Sequence, residues 1–366
     1  MKVMTIFGTR PEIIRLSLVM KILDQHCEHT TVHTGQNFEE SLSDIFIRDL
    51  EIRNPDVHLG IRSTSFGDQA GQIITKVDVI LEQYQPDKVL ILGDTNSALS
   101  AIVAARRGIP VFHMEAGNRC FDDRVPEEIN RRIVDHSSTI LLPYTERSRD
   151  NLIAEGIERD RIYVTGNPIY EVLNHFADKI DESGSLEELG VQPSGYFLVT
   201  LHRAENVNTP ERLESIFRGF EAIAATFEKK VLISVHPRTA QQLDRFGIKP
   251  DTERIVLLKP LGFFDFVKLE KKSLAVLTDS GTVQEECSIF GIPNVTLRDV
   301  TERPETIETG SNILSGADSD SIVRAVSLAT SQPANWAPPP EYMVKNVSQT
   351  VSKIVLGHTN LRRHHS

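Results

Sequence analysis

Ser273-Leu274-Ala275-Val276-Leu277-Thr278-Asp279-Ser280-Gly281-Thr282-Val283-Gln284-Glu285-Glu286 decides how this chain is read. Ser273 to Leu277, with Ala275 and Val276 inside it, has the apolar continuity of a buried strand. The run stops at Asp279-Ser280-Gly281, a small polar turn, and Val283 to Phe290 takes up helical spacing. A strand ending in small residues that open a helix leaves backbone N–H groups pointing outward, where the helix dipole also favours negative charge. Such a turn is a place for a phosphate. Glu286, about one and a half turns into the helix, is near enough to accept hydrogen bonds from ribose hydroxyls of the same ligand. Alone, the stretch is equally well an N-cap at Ser280 with solvated glutamates behind it. The density of similar strand-end turns elsewhere favours the phosphate site.

Working outward, Phe197–Thr200 ends at His202-Arg203-Ala204-Glu205-Asn206, Val231–Val235 at His236-Pro237-Arg238, and Ile255–Leu258 at Lys259-Pro260-Leu261-Gly262-Phe263-Phe264. The first half repeats the rhythm. Met1–Phe7 ends at Gly8-Thr9-Arg10-Pro11-Glu12 before a helix from Ile13 to Leu23, with Pro11 and Glu12 as start signals. Thr30–Val32 leads to His33-Thr34-Gly35-Gln36-Asn37, and residues 66–84 form an amphipathic helix. Lys88–Leu92 ends at Gly93-Asp94-Thr95-Asn96, followed by a helix from Ser97 to Arg106. Ile109–His113 ends at Glu115-Ala116-Gly117-Asn118-Arg119, and Cys120–Pro126 reads as a loop. A helix from Pro126 to about His136, strand Thr139–Leu142, helix Glu146–Ala154 and a strand ending at Val164-Thr165-Gly166-Asn167-Pro168 complete this half, with helix again from Ile169 to Phe176.

Strand, polar turn, helix, strand is the pattern of parallel doubly wound sheets with ligands at the carboxyl ends of their strands. Residues 177–194, rich in Asp, Glu, Ser and Gly, read as an interdomain linker. A helix over 318–330, a proline-rich crossing at 333–340 and a terminal helix over 343–356 close the chain. The expectation is an α/β protein of two doubly wound domains facing across a cleft. The first comprises residues 1–176 joined by 341–366, and the second 177–340.

At 366 residues the chain is long enough for two cores, and 40% hydrophobic with 25% charged residues is ordinary for a globular protein. A net charge of -11 argues against general nucleic-acid binding or an anionic membrane surface. Cys27, Cys120 and Cys287 have neither C-x-x-C nor zinc spacing, so reduced thiols and a cytoplasmic setting are expected. No run reaches transmembrane length and no signal peptide precedes the first strand. The tail from Leu361 to Ser366 reads as a frayed end, its histidines not metal ligands.

Two sets of polar residues stand at the strand ends. Arg10, His202, His236, Arg238, Ser280, Glu286, Arg298 and Arg303 suit a phosphorylated nucleoside, with cations and N–H groups for phosphates and a carboxylate for sugar hydroxyls. Asp94, Glu115 and Glu127 are three carboxylates of the first half on one sheet edge, and crowding sets carboxyl pKa values apart for acid–base work. Each has a plainer reading. Asp94 caps the helix at Ser97, Glu115 pairs with Arg119, Glu127 sits in a first turn, and Arg10 pairs with Glu12. Their clustering favours function. His113 and His136 read as satisfied structural histidines, and Cys120 lacks a recognisable base. A lone glycine at Gly8 gives no dinucleotide fingerprint.

These motifs, with Pro126-Glu127-Glu128-x-Asn130-Arg131 and Thr301-Glu302-Arg303-Pro304-Glu305, resemble in order and spacing the non-hydrolysing UDP-N-acetylglucosamine 2-epimerase family over nearly the whole chain. The resemblance implies a GT-B fold of two Rossmann-like domains, UDP held mainly by the second and the sugar facing the first. It implies a homodimer, a UDP-sugar substrate and no cofactor or obligatory metal. Asp94, Glu115, Glu127 and His202 match the family's catalytic residues. Arg10, Arg15, Arg131, His236, Arg238, Phe266, Ser280, Gly281, Thr282, Glu286 and Arg303 match its substrate-binding positions, with the loop Leu261–Phe266 on the uracil. Ala204 stands where many relatives have arginine, Asn37 where many have histidine, Thr282 where many have glycine and Arg15 where many have lysine. Gln36 and the residues after His202 match the place where some relatives bind an activating second UDP-sugar, so that regulation is in question. The run His113–His136, with Asn118-Arg119-Cys120-Phe121-Asp122, is more similar to the branch that acts on UDP-2-acetamido-2,6-dideoxy-L-hexoses. Related possibilities are a hydrolysing epimerase, a GT-B glycosyltransferase and a catalytically silent nucleotide-sugar-binding regulator.

Overall fold

The computed structural model describes residues 1–35, 40–63 and 65–358, with the backbone alone at 40–44. Gln36, Asn37 and the tail from Leu361 therefore lie outside the described residues. The chain divides into two compact units, Met1–His175 with the segment from Glu341, and Phe176–Pro340.

The first unit contains β1 (Lys2–Phe7), β2 (Glu28–His33), β3 (Val57–His58), β4 (Lys88–Leu92), β5 (Val111–Met114) and β6 (Ile140–Leu142). They form one sheet in the order β3-β2-β1-β4-β5-β6, parallel throughout. The second unit contains β7 (Tyr196–Leu201), β8 (Lys230–Val235), β9 (Ile255–Leu258), β10 (Ala275–Thr278), β11 (Asn294–Thr296) and β12 (Asn312–Leu314). Its sheet runs β12-β11-β10-β7-β8-β9, also parallel, which is the same winding met from the other edge. Both are Rossmann-like doubly wound sheets, and together they are the α/β GT-B architecture expected. Helices cover both faces of each sheet, so the central strands are apolar without alternation. Met4, Ile6, Val89 and Ile91 pack with Ile73, Val77 and Leu81 of helix Phe66–Tyr84 in the first unit. Val199, Val231, Ile233 and Leu277 pack with Ile216 and Phe220 in the second. Among the described residues no helix is long and apolar enough to cross a membrane.

Several local readings need correction. No strand leads into Thr165: the chain makes one bridge, Leu141 with Ile162, and Gly166 then turns at φ 85° against Val344 and Glu341. Residues 177–194 are not an open linker. They form helices Ala177–Asp181 and Ser185–Leu189, and Leu186 and Val191 are buried with Tyr196 and Leu198 in the second unit's core. The helix expected from Ser97 begins as a tight turn, Asn96–Leu99, and is regular only over Ser100–Arg106. The terminal helix is Val347–Gly357, after a turn at Pro340–Met343, and packs on helix Arg10–His26 of the same unit. Strands β3, β11 and β12 escaped the sequence because two or three residues carry no period.

Candidate active site

In the first unit the winding reverses between β1 and β4, so a crevice opens where these neighbouring strands end. The turn after β1 opens helix Arg10–His26, and Glu12 in its first turn points back at it. One Glu12 oxygen accepts from the N–H groups of Gly8 (2.5 Å) and Thr9 (3.3 Å), the other from the Thr95 hydroxyl (2.6 Å) beyond β4. Burial pushes the Glu12 carboxyl up to about 7, and these neutral donors only partly offset it. Glu12 is therefore tied to the backbone and Thr95, and Arg10 instead lies with Cζ 5.7 Å from the centre of the Phe46 ring.

Asp94 and Glu115 end adjacent strands, β4 and β5. Glu115 adopts φ 65°, an uncommon left-handed conformation for a residue with a side chain, and such strain collects at functional sites. Its carboxylate lies 3.6 Å from where a Cβ on Gly93 would stand, which places it beside the Asp94 turn. Arg15, buried, donates to Glu115 at 2.7 Å, and the Asn118 amide to its other oxygen at 3.1 Å. Arg131 donates through Nε to Asp94 at 2.7 Å and through a second nitrogen to Glu128 at 2.6 Å. Arg15 and Arg131 thus hold the two carboxylates. Glu127 is half-buried, one helical turn before Arg131. Asp94 does not cap the following helix, where Thr95 takes that position.

The expected pair Glu115–Arg119 does not form. The parallel sheet brings the helix after β1 beside the turn after β5, so Arg15 reaches Glu115 from 100 residues away. Arg119 turns inward to Glu155 (2.6 and 2.8 Å) and Asp135 (2.8 Å). His113 is fully satisfied, as read: Nδ1 meets Asp135 at 2.9 Å and Nε2 the Gly93 carbonyl at 2.8 Å. Gly117 at φ 79° is obligatory, since a Cβ there would meet the Ser148 carbonyl at 2.2 Å.

The second unit reverses between β7 and β10. Fully buried Asp279 accepts from the N–H groups of His202 (3.0 Å) and Arg203 (2.8 Å), from the Asn206 amide (3.1 Å), and lies 3.1 Å from His202 Nδ1. Burial alone would raise it, but the His202 charge and these donors hold it well below the usual carboxylate range. With Nδ1 on Asp279, the His202 ring turns Nε2 outward, and the His236 ring stands 6.0 Å away. His236 caps helix Pro237–Phe246, its Nδ1 accepting from the Arg238 N–H at 3.2 Å, so Nε2 carries the ring proton. Arg238 reaches Asn208 at 3.3 Å.

Ser280 is the N-cap of helix Gly281–Phe290, with Thr282 in its first turn. The Arg303 guanidinium lies against Gly281, 3.6 Å from where a Cβ would stand, so glycine lets a cation sit directly at a helix N-terminus. Arg303 Nε is bonded to buried Glu285. Together the turn and Arg303 set backbone N–H groups beside a cation, an arrangement that can cradle an anion. Arg298, expected with this set, is buried in a bidentate pair with Glu302 (2.7 and 2.9 Å). Glu286 is buried on the cradle helix. The supposed loop Leu261–Phe266 is helical from Phe263, and Phe266 is half-buried against the core there.

Sequence reasoning missed the bridging role of Glu12, although Thr9-x-x-Glu12 carries a capping signal. It also missed Asp279 as the partner of His202, for which there was no local signal.

The family model for UDP-N-acetylglucosamine 2-epimerase matches residues 21–356. The chain is 40% identical over 347 residues to a UDP-N-acetylglucosamine 2-epimerase of Methanocaldococcus jannaschii, covering 93% of this chain and 95% of that one. It is 38% identical over 330 residues to a UDP-2,3-diacetamido-2,3-dideoxy-D-glucuronate 2-epimerase of Pseudomonas aeruginosa, covering 89% and 91%. A crystal structure of the M. jannaschii UDP-GlcNAc 2-epimerase in complex with UDP-GlcNAc and UDP superposes with a TM-score of 0.93 at 37% identity, covering 98% of this chain and 100% of that one.

Proposed function

The chain belongs to the UDP-N-acetylglucosamine 2-epimerase family, an isomerase-type enzyme family, and from that premise we propose that it is a non-hydrolysing C2 epimerase of a UDP-2-acetamido sugar. The substrate pair is UDP-N-acetylglucosamine with its manno epimer, or UDP-2-acetamido-2,6-dideoxy-L-talose with UDP-N-acetyl-L-fucosamine. The observation that carries the reading is the pair Asp94 and Glu115, on adjacent strand ends and each held by a buried arginine. Residues 177–340 take the UDP, and residues 1–176 with 341–366 the sugar.

An enzyme base removes the C2 proton as the C1–O bond breaks, its electron pair leaving with UDP. The products are a 2-acetamidoglycal and UDP. A proton then adds to the opposite face of C2 and UDP re-adds at C1. Asp94, Glu115 and Glu127 supply the acid and base, Asp94 and Glu115 held in place by the arginines that donate to them. His202, oriented by Asp279, donates through Nε2 to the departing phosphate. Arg10, His236, Arg238, Arg303 and the Ser280-Gly281-Thr282 turn stabilise its charge. Glu286 accepts from the ribose, and Phe266 packs on the uracil. No cofactor is needed, because the electrons of the broken bonds stay within the substrate pair. The working form is a cytoplasmic homodimer feeding surface polysaccharide synthesis.

The test is incubation with each acetamido sugar nucleotide in deuterium oxide, followed by NMR at C2. Deuterium at C2 with UDP still attached is expected. Accumulating UDP and free sugar would make the protein a hydrolysing enzyme, and no exchange with either substrate would leave a transferase or a binder.

A further inference from the structure

The first unit holds a buried acid that the reaction above does not use. Glu12 is 2% exposed. One of its oxygens takes the Gly8 and Thr9 N–H groups at 2.5 and 3.3 Å, and the other takes the Thr95 hydroxyl at 2.6 Å, from 83 residues away. A glutamate that only closes a helix start accepts from the N–H of the cap. Glu12 does that and also crosses from the turn after β1 to the turn after β4.

Both turns carry residues placed in the reaction. Gly8 and Thr9 lead into Arg10, and Thr95 follows Asp94. The Asp94 turn is gripped by two other helices as well. From helix Pro126–Ser137 the Asn130 amide donates to the Asp94 carbonyl (3.0 Å) and to the Asn96 side-chain oxygen (3.1 Å), and Arg131 donates to the Asp94 carboxylate (2.7 Å). The Asn96 amide donates to Gln69 of helix Phe66–Tyr84 at 2.7 Å. The Thr95 carbonyl accepts from the Ala98 N–H at 3.0 Å, so its hydroxyl is the part of Thr95 that meets helix Arg10–His26.

This tie survives either protonation state of Glu12. The oxygen facing Gly8 and Thr9 already has two donors on it, so a proton enters on the oxygen that faces Thr95. A hydroxyl accepts as well as it donates, and the bond then runs the other way.

We propose that Glu12 and Thr95 are positioning residues, whose hydrogen bond fixes the turn bearing Asp94 against the turn leading to Arg10 and so sets where the Asp94 carboxylate stands for the C2 proton. The part played in the reaction rests on the reading of Asp94 given above; the tie between the turns does not. Loss of the bond frees Thr95, and with it the backbone next to Asp94. A displacement of about 1 Å at a reacting group costs on the order of 10²-fold in rate.

The experiment uses the full chain in deuterium oxide, with UDP-N-acetylglucosamine and its 6-deoxy-L-talose counterpart as probes. Thr95→Val should lower the rate of C2 exchange at saturating substrate about 10- to 100-fold, with KM and the affinity for UDP within about twofold of wild type. Thr95→Ser keeps the hydroxyl, and Glu12→Gln keeps a bond in which the amide donates to Thr95, so both should hold the rate within about threefold. Glu12→Met should lose as much as Thr95→Val, and combining the two should slow exchange no further than Glu12→Met alone. Full exchange in Thr95→Val, equal loss in Thr95→Ser and Thr95→Val, a change in KM alone, or further loss in the double variant would overturn the proposal. Urea denaturation separates the tie from the reaction. Thr95→Val should lower the unfolding midpoint of wild type and leave that of Glu12→Met unmoved. If wild type exchanges nothing at C2 while this coupling is found, the epimerase reading and the placing of Asp94 fail together and the tie stands. Absence of the coupling removes the tie itself. If Glu12→Met does not fold, Thr95→Val against Thr95→Ser decides both assays.

Discussion

The crevice between β1 and β4 and the crevice between β7 and β10 share a topology and differ in chemistry. Each is bridged by a buried carboxylate that accepts two backbone N–H groups and reaches the neighbouring strand's turn. Around Glu12 every donor is neutral, burial prevails, and the carboxyl titrates at about 7. Around Asp279 one partner is the His202 imidazole, and its charge with three N–H donors outweighs burial. Topology sets where a carboxylate can bridge, but the charge of its partners sets whether it carries a proton. On the proposed reading the difference is functional. The first crevice presents acids braced by arginines, suited to moving a proton; the second presents cations and N–H groups over a fixed anion, suited to holding a diphosphate.

The largest expected effect separates these two tasks. Asp94→Asn or Glu115→Gln should lower C2 exchange in deuterium oxide roughly 10³-fold or more while calorimetry finds UDP affinity unchanged. A parallel fall in affinity would break the division of labour. Next, Asp279→Asn should cost roughly 3–5 kcal/mol of unfolding free energy at neutral pH, read by urea denaturation, because it removes the anion from a buried pair. The contribution of an acid held low is present above its unfolded value, 3.8, and is lost as the pH falls below it, so the variant and wild type should converge in acid.

Glu12 should behave with the opposite sign. The unfolded chain releases this proton near 4.5 and the folded chain near 7, so the stability tied to it is complete below 4.5 and lost as the pH rises through 7. The loss amounts to about 3 kcal/mol. In Glu12→Gln that slope should disappear from denaturation curves taken across the range; a slope that persists assigns it to other groups. The smallest effect sharpens the second crevice. Arg303→Lys keeps the charge at the helix N-terminus but loses the planar fork, and UDP affinity should fall about tenfold with little change in kcat.

Much of the plan was legible in the residues. The strand-end turns at Gly8, Gly93, Glu115, His202 and Asp279 were readable because apolar runs, small polar breaks and helix starts are local signals. A parallel sheet then brings such turns to one edge without further information. Length failed as a signal only at the shortest strands, and polar composition misled at 177–194, where Leu186 and Val191 anchor apparently linker-like sequence in a core.

What the sequence determined by itself was the order of elements, their parallel winding, the family and the chemical types gathered at the strand ends. The tertiary structure alone decided the pairings: Arg15 rather than Arg119 on Glu115, Arg131 on Asp94, Glu12 on Thr95, and Asp279 under His202. The reason is physical. Element formation depends on neighbours a few residues away, whereas the partner and protonation of a charge depend on distance in space and on how much water the fold removes from around it.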